Sequence, residues 1–156
     1  MALRELRYDN DEILRKKSKP VKEINSHIKN LLDDLFDTMR SKEGVGMAAP
    51  QIGSLRRVFV IELEDQLYEF INPEIISTEG VQRKEEGCLS LPGRTGLVER
   101  PLYVKVKALN RDGEEIVVEA EDVLAIAICH ELDHLDGILY TDKVVMTSVI
   151  TEEEEK

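Results

Sequence analysis

The sequence has no tryptophan, 4% aromatic residues, three histidines and two cysteines. Two cysteines, Cys88 and Cys129, make a poor disulfide framework for a domain of this size. Positive charge is in deficit: 21 Lys and Arg stand against 32 Asp and Glu, a formal net charge of -11. Such a chain is poorly suited to holding nucleic acid by its phosphates. There is no long apolar run either. The longest, Val123 to Cys129, is far too short to span a bilayer. The opening Met1-Ala-Leu-Arg-Glu-Leu-Arg lacks the apolar core of a signal peptide. These absences lead to the expectation of a soluble protein of the reducing cytoplasm, with no direct nucleic-acid partner and no membrane partner.

What is present suits one domain with a hydrophobic core, since the chain has 156 residues. Residues 1–9 read as extended, with Leu3, Leu6 and Tyr8 as anchors, and Asn10 as the cap of a short helix over 11–17 that Pro20 ends. Ile24, Ile28, Leu31, Leu32, Leu35, Phe36 and Met39 mark an amphipathic helix over about 25–41, with His27 off the stripe on the surface. Gly44 to Gly53 carries three glycines and a proline, which argue against regular structure but let backbone N–H groups approach a ligand closely. No Gly-Lys-Ser/Thr follows, so a phosphate cradle is a weak reading beside a plain loop.

A β-branched and aromatic run predicts a strand over 57–63, paired with 67–71 across Glu64-Asp65-Gln66 and broken by Asn72-Pro73. Short strands at 75–77 and 81–84 join through Gly80, and Glu85 to Gly93 reads as too broken for regular structure beyond Cys88. Leu102, Val104, Val106 and Ala108 alternate with polar residues as a half-buried strand, turning at Asn110 to Gly113 into its partner at 116–118. The fold class expected is α+β: short, mostly antiparallel strands around a C-terminal metal-binding helix, with an N-terminal amphipathic helix. One domain covers 1–150, and the acidic 151–156 reads as a disordered tail.

The C-terminal helix carries His130-Glu131-Leu132-Asp133-His134. In a helix the two histidines, four residues apart, share a face and can reach one metal ion, while Glu131 stands beside the first, placed to handle a proton on water. Val123, Ile126, Ala127, His130 and His134 fall on one stripe, read here as buried, with Asp122 as N-cap and Gly137 as the C-terminal stop. The alternative is a pair of core histidines around an exposed glutamate.

A catalytic site takes three protein ligands and leaves a position open. A thermolysin-like protease would take a downstream glutamate, but only 22 residues follow His134 and their glutamates lie in the tail. The metzincin spacing reaches Gly137 and then meets Tyr140 in place of a third histidine. Cys88 remains as a candidate, against the usual reading of a lone cysteine as a small buried hydrophobe. Cys129 projects about 100° from His130 and cannot easily share its metal. A closed structural zinc module would use four Cys or His ligands.

Gly44-Val45-Gly46-Met47-Ala48-Ala49-Pro50-Gln51, Glu86-Gly87-Cys88-Leu89-Ser90 and His130-Glu131-Leu132-Asp133-His134 together resemble the three motifs of bacterial peptide deformylases. Tyr8 to Val21 is similar to that family's N-terminal segment, so the resemblance spans roughly 4–145. The resemblance implies hydrolysis of the formyl group from N-formyl-methionyl nascent peptides, releasing formate, with transient ribosome contact. It implies a metal on Cys88, His130 and His134: Fe(II), one per chain, replaceable by Zn, Ni or Co. It gives Glu131 the role of general base, Gln51 and the Leu89 backbone N–H the oxyanion, and Gly46 the alignment of the peptide. Val45, Ile128 and Cys129 are expected to wall the methionine pocket.

Overall fold

The computed structural model describes residues 3–147. The expected acidic tail lies outside them. The elements are α1 (Ser26–Ser41), β1 (Gly46–Ala48), β2 (Val58–Leu63), β3 (Gln66–Glu79), β4 (Gln82–Cys88), β5 (Leu91–Arg100), β6 (Tyr103–Leu109), β7 (Glu115–Glu121), α2 (Asp122–Leu135) and β8 (Val144–Thr147), with 3-10 turns at Glu12–Arg15, Ala49–Ile52 and Tyr140–Lys143. A five-stranded sheet runs β1-β2-β3-β6-β7 and a three-stranded one β4-β5-β8. The pairings between these strands are all antiparallel, so the fold is α+β. Among the described residues no helix is long and apolar enough to cross a membrane.

Strand β2 sits between the helices, and its period of two divides its side chains between them. Val58 and Val60 join Met47 and Ile71 in a core under α1, with Leu31, Leu32, Leu35 and Met39. Phe59 and Ile61 point the other way, into a second core with Phe70, Val104, Val106 and the α2 residues Ala125, Ile128 and Leu135. A strand covered on both faces reads as an unbroken apolar run, and this one does. Toward β6 only one face is covered, and the buried residues alternate as expected: Val104, Val106 and Ala108. A third cluster of Leu14, Leu91, Val98, Leu139 and Tyr140 ties the smaller sheet to the N-terminal segment.

Asn25 caps α1, its side chain accepting from Ile28 N–H at 3.1 Å. The short helix expected over 11–17 is one 3-10 turn, capped by Asp11 in place of Asn10. Of the three expected anchors Leu6 is buried, whereas Leu3 and Tyr8 are exposed. Leu63 pairs with Gln66 across Glu64 and Asp65, both at positive φ, which is the tight turn that suits the strand twist. Asn72-Pro73 does not end its strand. Asn72 takes φ 54 at a register shift, and its amide accepts from Val21 N–H and donates to Val21 C=O, so β3 bends and continues.

The stretch beyond Cys88 is a ten-residue strand, β5, although it contains Pro92, Gly93 and Gly96. Pairing with β4 on one side and β8 on the other imposes the conformation that the local sequence disfavours. Helix α2 follows β7 directly: Glu121 is the N-cap, not Asp122, and Asp122 makes the turn at φ 55. The end of α2 is closed by Gly137 N–H to His134 C=O and Ile138 N–H to Asp133 C=O, the Schellman pattern, with Gly137 at φ +76.

Candidate metal centre and active site

Four elements converge on one cleft of about 480 Å³. Helix α2 brings His130 and Glu131, with His134 one turn further on behind them; the end of β4 brings Cys88; β1 and the 3-10 turn after it bring Gly46 and Gln51. The ligand atoms of Cys88, His130 and His134 lie within 4.8 Å of one another, a grouping that could hold a metal ion. Cys88 Sγ and His134 Nε2 are 3.4 Å apart, which fits the roughly 3.4–3.6 Å between neighbouring ligands of a tetrahedral ion with N and S donors.

The surroundings fit a cation as well. His130 Nδ1–H donates to Glu86 Oε1 at 3.0 Å, leaving Nε2 as its ligand atom, the carboxylate–histidine arrangement that orients metal ligands. Burial lowers the His130 pKa, but bonding to Cys88 and Glu86 and the charge of Glu131 outweigh it and lift the imidazole to about 10. The position therefore favours positive charge, which a proton or a metal ion can supply. Burial holds His134 well below its ordinary value, as a neutral ligand should be.

Glu131 is buried, not the exposed residue of the plain-helix alternative, and its Oε1 has no hydrogen-bond partner among the described residues. Burial pushes its carboxyl up to about 7. A Cβ added at Gly46 would come 2.7 Å from Glu131 Oε2, so a larger residue there would push the carboxylate out of its place. Gln51, 1% exposed, accepts from Ala48 N–H at 2.9 Å and donates from Nε2 to Ser90 Oγ at 3.1 Å, with Cys88 Sγ 3.6 Å away. Leu89 lies in the two-residue turn between Cys88 and Leu91.

The stripe read as buried is mostly the wall of this cleft. Val123, Ile126, Ala127 and His130 line it, and Val123 is 49% exposed. The core face of α2 is instead Ala125, Ile128, Cys129 and Leu135. Ile128 and Cys129 accordingly sit in the core and do not line the cleft, while Val45 and Gly46 do. Burial lifts the Cys129 thiol to about 11, which keeps it neutral and unsuited to a metal.

Sequence reasoning missed the buried charges behind the ligands. Arg100, 3% exposed, donates to both oxygens of Glu86 at 2.9 and 3.0 Å and to Asp133 Oδ2 at 2.7 Å. Burial would raise the Glu86 pKa, but bonds from His130 and Arg100 hold its carboxyl at about 2. Asp133 also meets Lys143 at 3.2 Å. This network joins β4, β5 and α2, and through Glu86 it reaches the His130 ring. The only sequence signal was position: Glu86 precedes Gly87-Cys88, and Asp133 lies between the histidines.

The comparisons with known proteins agree with this geometry. The family model described as polypeptide deformylase matches residues 3–149. A peptide deformylase of Acetivibrio thermocellus is 59% identical over 145 residues, covering 93% of this chain and 85% of that protein. One from Thermoanaerobacter pseudethanolicus is 54% identical, covering 100% and 96%. Among solved structures, the peptide deformylase of Thermotoga maritima superimposes with a TM-score of 0.90 at 36% identity, covering 92% of this chain and 99% of that one. That of Legionella pneumophila gives 0.89 at 42%, covering 92% and 86%. With these likenesses and a Cys/His/His cluster suited to the metal dependence of such enzymes, the chain belongs to the polypeptide deformylase family.

Proposed function

We propose that this cleft hydrolyses the formyl group from the N-terminal formyl-methionine of nascent chains in the cytoplasm. Water adds to the formyl carbon, the C–N bond breaks, and formate and a free amine leave. The carrying observation is the juxtaposition of a Cys/His/His cluster with a buried carboxylate, Glu131, whose Oε1 has no hydrogen-bond partner among the described residues.

Cys88, His130 and His134 would hold one ion, Fe(II) in the cell, with Zn, Ni or Co able to replace it because this donor set suits all four. Such an ion supplies a Lewis acid that can lower the pKa of water from about 15.7 toward 7. Glu131 accepts the proton of the attacking water and passes it to the leaving amine. Its burial supports this role, since a carboxyl raised to about 7 can hold a proton and release it near neutrality. The Gln51 side chain and the Leu89 backbone N–H donate to the oxyanion that forms on the formyl oxygen.

Strand β1 is an edge of its sheet, so the peptide can lie along Gly46 as an added strand. Val45, Ile126 and Ala127 are the apolar surfaces available to the methionine side chain. Contact with the ribosome is transient, and neither nucleic acid nor membrane is needed for the chemistry. The test is release of formate from a formyl-Met peptide by the metal-loaded protein. Absence of formate, or cleavage of internal peptide bonds instead, overturns the reading.

A further inference from the structure

A glutamine amide is a poor guardian of its own orientation, because its terminal torsion is broad and two-fold. Gln51 is nonetheless held from two sides. Its Oε1 accepts from Ala48 N–H at 2.9 Å, which rejects the flipped amide, since Nε2 would then face another donor. Its Nε2 carries two hydrogens and has two neighbours: Ser90 Oγ at 3.1 Å and Cys88 Sγ at 3.6 Å. With one hydrogen on Ser90, the other is left on the side of Cys88 and the cleft.

Ser90 itself is fully buried and is not among the residues lining the cleft, so it cannot touch a bound peptide. It sits in the β4–β5 turn next to Leu89, which places the support of one oxyanion donor beside the other. We infer that Ser90 is a positioning residue for the reaction: by accepting one N–H of Gln51, its hydroxyl keeps the other aimed at the reacting carbonyl. The inference rests on reading Gln51 as an oxyanion donor. Without Ser90 the amide has no acceptor on that side and is free to turn toward the sulfur.

The experiment is a double-mutant cycle on the full-length, metal-loaded enzyme, with metal content and melting temperature measured on every variant. Gln51→Leu should lower kcat by roughly 10²–10³ with a smaller change in KM, as loss of a whole oxyanion donor does. Ser90→Ala should lower kcat by roughly tenfold, less than removal of the donor itself, with KM within about twofold and metal retained. Ser90→Cys leaves no cavity, its sulfur being somewhat larger than the oxygen, but offers only a weak acceptor, so its kcat should fall like that of Ser90→Ala. The decisive arm is Ser90→Ala in the Gln51→Leu background, where the substitution should cost nothing further. The same tenfold loss there, or no loss in the wild-type background, overturns the inference. If Gln51→Leu alone leaves kcat unchanged, the oxyanion reading of Gln51 has failed first, and the cycle distinguishes that case.

Discussion

Arg100 is the side chain whose loss should be felt most widely. It is almost wholly buried, and its guanidinium makes two bonds to Glu86 and one to Asp133. Arg100→Met keeps much of the aliphatic volume and removes all three. Two carboxylates then remain inside the protein, Glu86 with only His130 and Asp133 with Lys143 at its edge. Breaking a buried ion pair from one side typically costs about 3–5 kcal/mol, because the remaining charge is desolvated and uncompensated. For a domain of this length each kcal/mol lowers the melting temperature by about 2–4 °C, so a fall of roughly 6–20 °C is expected. Thermal and urea unfolding should be followed with both proteins saturated in the same metal, since a ligand of the folded state adds its own stability. Metal affinity should also fall, by about 10–100-fold, because Glu86 no longer orients His130 firmly. A loss under about 1 kcal/mol with unchanged metal affinity would refute the reasoning and leave Arg100 a replaceable core residue.

Four other outcomes are expected. Cys88→Ala should lose stoichiometric metal by elemental analysis, while Cys129→Ala should keep it, because that thiol packs in the core away from the cleft. Glu131→Gln should hold metal near the wild-type level and lose about 10²–10⁴ in deformylation rate; a rate that fell only in proportion to lost metal would make Glu131 structural. The iron-loaded enzyme should lose activity in air faster than the nickel-loaded one, since both Fe(II) and a thiolate beside it are oxidisable; equal half-lives would contradict this. Gly137→Ala should destabilise by more than about 1 kcal/mol in urea unfolding, because the residue sits at φ +76 and its new Cβ would meet Arg15 C=O at 2.5 Å.

The chain's local chemistry determined a great deal by itself. The spacing of Ile28, Leu31, Leu32, Leu35 and Met39 specifies α1, and Asn25 starts it, because periodicity and capping are properties of neighbours in sequence. The run Val58 to Ile61 and the alternation through Val104 and Val106 mark strands for the same reason. His130, Glu131 and His134 fall together from helical geometry alone. Tertiary structure decided what depends on distant partners. Strand β5 exists because β4 and β8 pair with it in spite of its proline and glycines. The apolar residues of α2 divide between core and cleft, with Ile128 inside and Ile126 on the wall, because what covers each face is set by other elements and not by the helix. Arg100 lies 14 residues from Glu86 and 33 from Asp133 in sequence, and only the fold brings them together inside the protein, where each charge is tolerable because the others are present. Cys88 was a candidate ligand in the sequence, but only the fold carries its sulfur to within 3.4 Å of His134, a histidine 46 residues further along the chain.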